Sequence, residues 1–196
     1  MMSKLYFRYG AMNSGKSTHL MQVAHNYEER GMKVILIKPA TDKKGGDKLV
    51  SRLGVERKVD ILCLEKMNIY EEIQKWQEVK LKVNCILVDE VQFMTKEQVD
   101  QLFKIAVVLD IPVICYGLRT DFMMEGFEGS TILLLLAHSI EEMKTICKCG
   151  RKAILNGRKI NGKFVFEGEQ VAIDNIDNVQ YESLCGHCYF RHKNNK

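Results

Sequence analysis

The first residues able to do chemistry form the stretch GAMNSGKS at positions 10–17, which fits G-x-x-x-x-G-K-[ST] at every fixed position. Glycines in this pattern let backbone N–H groups turn toward phosphate oxygens, and the following helix adds its positive N-terminal end. The lysine reaches the β and γ phosphates, and the hydroxyl ligates Mg²⁺. The alternative is a glycine turn before an exposed lysine. The motif predicts a nucleoside triphosphate site made of Gly10, Ala11, Met12, Asn13, Ser14, Gly15, Lys16 and Ser17.

A pair of adjacent carboxylates, Asp89 and Glu90, follows the apolar run CILV. Parallel α/β sheets bind ligands at the carboxyl ends of their strands. We expect Asp89 to hold the Mg²⁺ shell and Glu90 to accept a proton from the attacking nucleophile. Glu90 as a solvated strand-end residue is the open alternative. The pair alone does not separate a kinase from an ATPase that activates water, but the short chain favours a kinase.

Paired cysteines near the C-terminus form the third candidate site: Cys147, Cys149, Cys185 and Cys188. Four thiolates at such spacings would close a tetrahedral structural zinc site. The first pair has the short C-x-C spacing, which puts Cys147 in doubt and leaves His187 or His138 as an alternative fourth ligand. Reduced cysteines packed as small apolar residues are the other interpretation.

The elements that must position these residues alternate along the chain. Apolar runs predict strands at 4–9, 33–39, 59–64, 83–90 and 111–117. Helical spacing predicts helices at 16–30, ending at Gly31, around 69–76, and after a capping box of Thr95 and Gln98, with Val99, Leu102, Phe103 and Ala106 buried. This order predicts an α/β fold, a P-loop NTPase-type parallel sheet flanked by helices.

The character of the chain changes at about Thr145, where cysteines, glycines and short alternating runs begin. We therefore predict two domains. Residues 1–144 would form the P-loop ATP-binding α/β domain, and residues 145–196 a small, zinc-ribbon-like β domain.

The amino-acid composition of the chain argues against several classes of protein function. The chain has 196 residues, 46% of them hydrophobic and 28% charged, with a net charge of +4. These values indicate an ordinary globular protein without the charge of a nucleic-acid-binding surface. The longest apolar run, TILLLLAHSI, is too short to span a membrane. Seven cysteines without a secretion signal favour the cytoplasm.

Three segments in the same order carry a family resemblance: GAMNSGKST, DEVQF at 89–93 and GLRTDFMMEGF at 117–127. Over essentially the whole chain the sequence resembles the type II thymidine kinases, the cytosolic family. The resemblance implies a P-loop domain joined to a small zinc-binding domain, and transfer of the γ-phosphoryl group of ATP to the 5′-hydroxyl of thymidine with Mg²⁺. It also implies a homotetramer that is inhibited by thymidine triphosphate (dTTP).

The same resemblance assigns roles to individual residues. Glu90 would be the general base on the 5′-hydroxyl, while Lys16, Ser17 and Asp89 would serve the triphosphate and its metal ion. Residues matching the thymine pocket and the segment beside sugar and base are Met12, Leu118, Phe122, Phe127, Gln92 and Phe93. A substrate-covering loop after the first cysteine pair would contribute Val171, Ile173 and Tyr181, with Tyr181 on the sugar. Phe122 is the expected stacking partner of the base.

Several positions depart from the family pattern. Asp174-Asn175 stands where the family usually has Gly-Gly, and the first cysteine pair is one residue short. Asp42, Lys43 and Lys44 replace an Asp-x-Arg motif, so forked pairing by arginine would be lost. Arg119 could clamp a phosphate, although solvation at the surface is the simpler interpretation.

Two alternatives to a thymidine kinase remain at this stage. One is a P-loop ATPase whose zinc ribbon acts on nucleic acid. The other is a non-enzymatic, ATP-dependent binder whose basic tail, CYFRHKNNK, touches a phosphate backbone. Few aromatic residues accompany that tail, so we expect neither nucleic acid nor a membrane among the partners.

Overall fold

A computed structural model describes residues 2–42, 46–50, 54–78, 82–171 and 178–194. The first part of the chain forms β1 (Leu5–Tyr9), α1 (Lys16–Glu28), β2 (Lys33–Pro39), β3 (Lys48–Val50), β4 (Glu56–Lys58), β5 (Ile61–Cys63), α2 (Ile69–Glu78), β6 (Val83–Val88), α3 (Lys96–Val108), β7 (Val113–Gly117), α4 (Glu128–Leu136) and β8 (Ser139–Glu142). The rest forms β9 (Thr145–Ile146), β10 (Lys152–Ala153), β11 (Leu155–Ile160), β12 (Lys163–Val165), β13 (Val179–Leu184) and α5 (Gly186–Asn194).

The main sheet has the strand order β5-β2-β6-β7-β1-β8. All of its neighbouring strands pair in parallel. Strand β1 lies inside the sheet between β7 and β8, so the loop that follows it opens at the carboxyl edge of the sheet, the edge at which β6 and β7 also end. The predicted α/β fold with a parallel sheet is confirmed.

Apolar side chains of alternating strand positions build the two faces of this sheet. On β2, Ile35 and Ile37 pack on the face covered by α2, α3 and α4, whereas Val34 and Leu36 pack on the face covered by α1. Successive residues of a strand point to opposite faces. A strand covered on both sides therefore reads as a continuous apolar run, as KVILIKP does.

Local sequence signals fix the ends of two helices. Thr95 Oγ1 accepts a hydrogen bond from Gln98 N at 3.3 Å, and Gln98 Oε1 accepts one from Thr95 N at 3.2 Å. This capping box starts α3 as predicted. Gly31 has the expected left-handed conformation, at φ 71°, but α1 ends at Glu28 with Glu29 as its C-cap, two residues before the predicted end at residue 30. Phe103 was expected in the core but is half-buried, and Ile105 is fully covered instead.

Four predicted strands are shorter in the structure, and of these the strand expected at 4–9 begins one residue later, at Leu5. The strand expected at 59–64 is reduced to β5 because Val59 N donates to Asp47 O at 2.9 Å, which ties its start to the β3–β4 hairpin. That hairpin was not predicted, and the loop expected at 42–48 lies partly outside the described residues. The strand expected at 83–90 ends at Val88, and the strand expected at 111–117 starts at Val113.

The C-terminal part forms two small antiparallel sheets, β9–β10 and β12-β11-β13, followed by α5. Its core includes three of the paired cysteines together with Leu184 and Tyr189. We refer to residues 145–171 and 178–194 as the small unit. The division at residue 145 stays a prediction. None of the helices that the structure describes combines the length and apolar character needed to cross a bilayer.

Candidate active site

The phosphate loop connects β1 to α1. Asn13 and Gly15 adopt positive φ values of 64° and 78°, which turn the chain tightly before the helix. A Cβ at Gly10 would lie 2.4 Å from Met143 O, so only glycine fits there. The ammonium group of Lys16 folds over the loop and donates to Gly10 O at 3.2 Å and Ala11 O at 3.0 Å. The predicted residues thus form a turn of backbone N–H groups at a helix N-terminus, the geometry that binds phosphate.

Ser17 and Asp89 meet at the start of α1. Ser17 Oγ donates to Asp89 Oδ2 at 3.1 Å. The second carboxylate oxygen, Oδ1, is buried and has no hydrogen-bond partner among the residues that the structure describes. Burial first, and then the neighbouring Glu90 carboxylate, raise the pKa of Asp89 to about 7. A hydroxyl beside a buried carboxylate with a spare oxygen suits Mg²⁺, which prefers oxygen ligands and would offset this unfavourable burial of charge.

Glu90 follows directly at the carboxyl end of β6. Its backbone is left-handed, with φ 47° and ψ 38°, and it starts the 3₁₀ turn Val91–Phe93. Such a conformation costs a non-glycine residue about 1–3 kcal/mol and is concentrated at functional sites. The turn directs the Asp89 and Glu90 side chains to different surroundings, since Asp89 is 4% exposed and Glu90 lines an open cavity.

Gln92 holds the Glu90 carboxylate. Its Nε2 donates to Glu90 Oε2, and its Oε1 accepts a hydrogen bond from Leu118 N at 3.0 Å. Gln92 is 2% exposed, and a Cβ at Gly117 would lie 2.7 Å from its Oε1. The side chain therefore fixes the position of Glu90 relative to the end of β7. The sequence pointed to Gln92 only as a neighbour of the ligand.

A cavity of about 190 Å³ opens in front of Glu90. Its lining includes every described residue that the sequence assigned to the substrate: Met12, Gln92, Phe93, Leu118, Phe122, Phe127, Val171 and Tyr181. Ile173 lies outside the described residues, as do Lys43 and Lys44. Asp42, Asp121, Asn156 and Gln170 also line the cavity. The cavity is at the small end for ligand sites, which suits one nucleoside better than a polymer.

Aromatic rings form the walls of this cavity. Phe93 and Phe127 meet edge to face with ring centroids 5.6 Å apart. Phe122 is 1% exposed, and the guanidinium carbon of Arg158 lies 3.7 Å from the centroid of its ring. One face of Phe122 is therefore covered by a cation. Flat apolar walls with a few polar groups are typical of a site for a planar base.

Arg158 is a buried residue that the sequence analysis missed. Its guanidinium donates to Tyr181 OH at 3.0 Å, Glu169 O at 2.7 Å and Gln170 O at 2.8 Å. It is 4% exposed and lies on β11 directly across from Tyr181 on β13. Arg158 therefore connects the base wall, Tyr181 and the segment leading to Val171. The strand LNGRKI shows no apolar–polar alternation that would predict an inward position for this side chain. The guanidinium carbon of Arg119, weighed as a phosphate clamp, lies 5.3 Å from the Tyr9 ring centroid, and Arg119 lines a small cleft together with Gly10 and Ala11.

The four paired cysteines form one cluster in the small unit. The Sγ atoms of Cys147, Cys149, Cys185 and Cys188 all lie within 4.8 Å of one another. The short C-x-C spacing is accommodated by a tight turn in which Gly150 N donates to Cys147 O at 2.8 Å. The amide of Cys188 helps to lower the pKa of the Cys185 thiol to about 7. Four thiols in this arrangement are compatible with a structural zinc ion.

Neither histidine weighed as a substitute ligand belongs to this cluster. His138 accepts a hydrogen bond from Leu5 N at 3.0 Å, and its ring stacks on Phe103 with centroids 5.3 Å apart. His187 is exposed between the second pair of cysteines. The geometry of the cluster therefore favours the four cysteines, Cys147 included, over either histidine.

Comparison with known proteins gives one consistent family. The model of the family described as Thymidine kinase matches residues 3–189. The chain is 48% identical over 190 residues to the thymidine kinase of Vibrio vulnificus (strain CMCP6), covering 96% of this chain and 97% of that protein. It is 43% identical over 190 residues to the thymidine kinase of Francisella tularensis subsp. holarctica (strain LVS), covering 94% and 95%. It is 45% identical over 186 residues to the thymidine kinase of Enterobacteria phage T4, covering 94% of each.

Among solved structures, AMPPCP-bound DnaA from Aquifex aeolicus aligns with 76% of this chain and 42% of that chain, at a TM-score of 0.42 and 15% identity.

Proposed function

Because this chain belongs to the thymidine kinase family, we propose that it transfers the γ-phosphoryl group of ATP to the 5′-hydroxyl of thymidine. One observation supports this reaction above the others. A phosphate loop and a nucleoside-sized aromatic cavity share Met12, and Glu90 lies in the cavity lining. A phosphoryl donor and an alcohol acceptor can therefore be bound side by side with a carboxylate between them.

The phosphate loop binds the triphosphate. Its amides and the Lys16 ammonium group stabilise the charge on the phosphate oxygens, and Lys16 must exchange its contacts with Gly10 O and Ala11 O for contacts with the ligand. Ser17 and Asp89 would hold Mg²⁺ through Ser17 Oγ and the spare oxygen of Asp89. The ion supplies charge neutralisation of the β and γ phosphates when it is bound.

Glu90 is the general base in this proposal. Its carboxylate accepts the proton of the 5′-hydroxyl as that oxygen bonds to the γ phosphorus, and the bond between the γ phosphorus and the β–γ bridging oxygen breaks to release ADP. Gln92 positions the carboxylate by donating to Oε2, so Oε1 remains available to the alcohol. Because Gln92 is also held by Leu118 N, the base keeps a fixed position relative to the pocket that binds the nucleoside.

The aromatic cavity binds thymidine. The pyrimidine lies against the part of Phe122 that lines the cavity, between the apolar walls of Phe93, Phe127 and Leu118. Met12 closes the side next to the phosphate loop, and Tyr181 and Val171 cover the sugar side. Ile173 would extend this cover. Such a slot excludes water from the transferred phosphoryl group.

Family membership also supports five further proposals about the whole protein. We propose a zinc ion on the four cysteines, a homotetrameric assembly, inhibition by dTTP and a cytoplasmic location, with no nucleic acid as partner. Light scattering measures the mass of the assembly in solution. A mass of about one chain would contradict the tetramer.

A turnover assay tests the reaction itself. We expect thymidine to raise ADP production well above the basal rate, because the acceptor hydroxyl replaces water beside Glu90. The expected product is thymidine 5′-monophosphate, identified by chromatography. 5′-Deoxythymidine, which lacks the acceptor oxygen, is the control and should not stimulate ADP production. A rate that is the same with and without thymidine would favour the ATPase alternative.

Replacement of Arg158 by lysine is expected to weaken thymidine binding. Lysine keeps the positive charge but cannot bond Tyr181 and two carbonyl groups at once from a planar group stacked on Phe122. Losing charge-assisted hydrogen bonds of about 1.5–3 kcal/mol each predicts a KM for thymidine raised about tenfold or more. Lys163→Arg, an exposed change on β12, is the control. Unchanged steady-state KM values for thymidine in Arg158→Lys would contradict this role.

A further inference from the structure

Both backbone polar groups of Met12 in the phosphate loop are held by side chains of the small unit. Met12 N donates to Asn156 Oδ1 at 2.8 Å, and Met12 O accepts a hydrogen bond from Ser183 Oγ. Asn156 and Ser183 are 3% and 5% exposed, so water competes little for these bonds. One residue of the phosphate loop is thus fixed from outside the main sheet.

The two residues that hold Met12 form a cross-strand pair. Asn156 on β11 lies opposite Ser183 on β13, and the next pair on the same face is Arg158 with Tyr181. One face of the two strands therefore contacts the phosphate loop through the first pair and the nucleoside cavity through the second. Asn156 Nδ2 also donates to Thr120 O at 2.9 Å, in the segment that leads to Phe122.

Because Met12 lies within the phosphate loop, a displacement of its peptide groups also displaces the neighbouring loop residues. The next residue, Asn13, and Gly15 have the positive φ values that turn the loop amides inward. The Met12 side chain itself lines the nucleoside cavity. A shift of the Asn156–Ser183 pair relative to β1 must move the Met12 peptide groups, and with them the amides that bind phosphate.

We propose that Asn156 and Ser183 are positioning residues that couple the nucleoside cavity to the phosphate loop, so that bound thymidine raises the affinity for ATP. The proposal rests on the proposed thymidine kinase function. Thymidine between Met12, Phe122 and Tyr181 restrains the face of β11 and β13 that also holds the loop. The two strands then hold the Met12 peptide groups more rigidly, so ATP binding restrains less residual motion of the loop, which produces positive coupling between the two ligands.

Calorimetric titration of a non-hydrolysable ATP analogue, with Mg²⁺ and with or without saturating thymidine, tests this coupling. In the unchanged protein we expect thymidine to tighten binding about fivefold or more, the lower end of typical couplings between sites. In Ser183→Ala and in Asn156→Leu, the ratio of the two affinities is expected to fall toward about one. Reverse titration of thymidine with and without the analogue must give the same ratio, because coupling is reciprocal.

Glu182→Gln is the matched control. Glu182 lies between Tyr181 and Ser183 in the sequence, but its side chain points away from the phosphate loop. It forms ion pairs with Lys148 at 2.9 Å and Lys159 at 2.6 Å. The substitution Glu182→Gln removes ion pairs from the same strand without affecting a contact of Met12. We therefore expect this control to show the same ratio of affinities, with and without thymidine, as the unchanged protein. Because the ratio compares two affinities of one variant, general destabilisation alone does not change it.

Three results would overturn the proposal: no coupling in the unchanged protein, an unchanged ratio in both variants, or an equal loss in Glu182→Gln. If Asn156→Leu fails to fold, Ser183→Ala decides, since it removes a single hydroxyl group. Thymidine-dependent turnover is measured on the same samples. Absence of thymidine phosphorylation in the unchanged protein would contradict the proposed function, whereas normal turnover with an unchanged ratio would contradict only the coupling.

Discussion

Replacement of Glu90 by glutamine is expected to lower kcat by about 10²–10⁴-fold, the usual contribution of a positioned general base. Glutamine has nearly the same shape but cannot accept the proton of the 5′-hydroxyl. The site around it should stay in place because Gln92 is anchored independently by Leu118 N at 3.0 Å. Titration with an ATP analogue should show that nucleotide binding is retained, since Glu90 does not belong to the phosphate loop.

Glu97→Gln, an exposed change in the first turn of α3, controls for the loss of one acidic charge nearby. Both variants are compared by steady-state turnover at saturating thymidine and ATP. Turnover of Glu90→Gln equal to that of the control would remove Glu90 from the chemistry. Loss of ATP binding together with turnover would assign it to the phosphate site instead.

Replacement of Cys185 by serine is expected to remove the metal and unfold the small unit. In structural zinc sites the binding free energy is also folding free energy, about 10–16 kcal/mol in isolated zinc-finger peptides. The small unit supplies Tyr181 to the cavity lining, its Arg158 lies on the ring of Phe122, and Tyr189 OH donates to Phe122 O at 2.8 Å. Thymidine-dependent turnover should therefore fall on the order of 100-fold or more when this unit loses its order.

Metal analysis and thermal unfolding are the measurements for this second prediction. Cys85→Ala is the control, because Cys85 is buried in the main sheet away from the cluster. The control should keep about one zinc ion per chain. A Cys185→Ser protein with the same zinc content and the same unfolding curve would contradict a structural metal on the four cysteines.

Much of the main sheet and its helices could be predicted, because the sequence features that specify them lie within a few neighbouring residues. Strand β2 reads as a continuous apolar run, and α3 begins at a capping box whose two hydrogen bonds involve residues three positions apart. Helix α4 was not predicted, because its apolar run is compatible with either a buried strand or a helix. Its identity is decided by contacts with α3 and with the turn after Glu90, where Gly129 lies beneath Val91 O.

The residues of the candidate site also fall into two groups: those that a local sequence motif predicts and those whose roles depend on the tertiary structure. The phosphate loop is a contiguous motif with a fixed mechanism, so the sequence alone is sufficient to predict its residues. The roles of Arg158, Asn156 and Ser183 depend on which strands of the small unit face the phosphate loop. No local pattern encodes that arrangement. The doubt about Cys147 had the same origin, because spacing alone does not reveal the turn at Gly150 that brings the first pair to the second.

A crystal structure with thymidine and a non-hydrolysable ATP analogue tests the central claim most directly. The account predicts a carboxylate oxygen of Glu90 within about 2.6–3.2 Å of the 5′-oxygen, the pyrimidine against Phe122, and the γ phosphate in line with that oxygen. A Glu90 carboxylate turned away from the 5′-hydroxyl, or a pyrimidine bound outside the aromatic cavity, would contradict it.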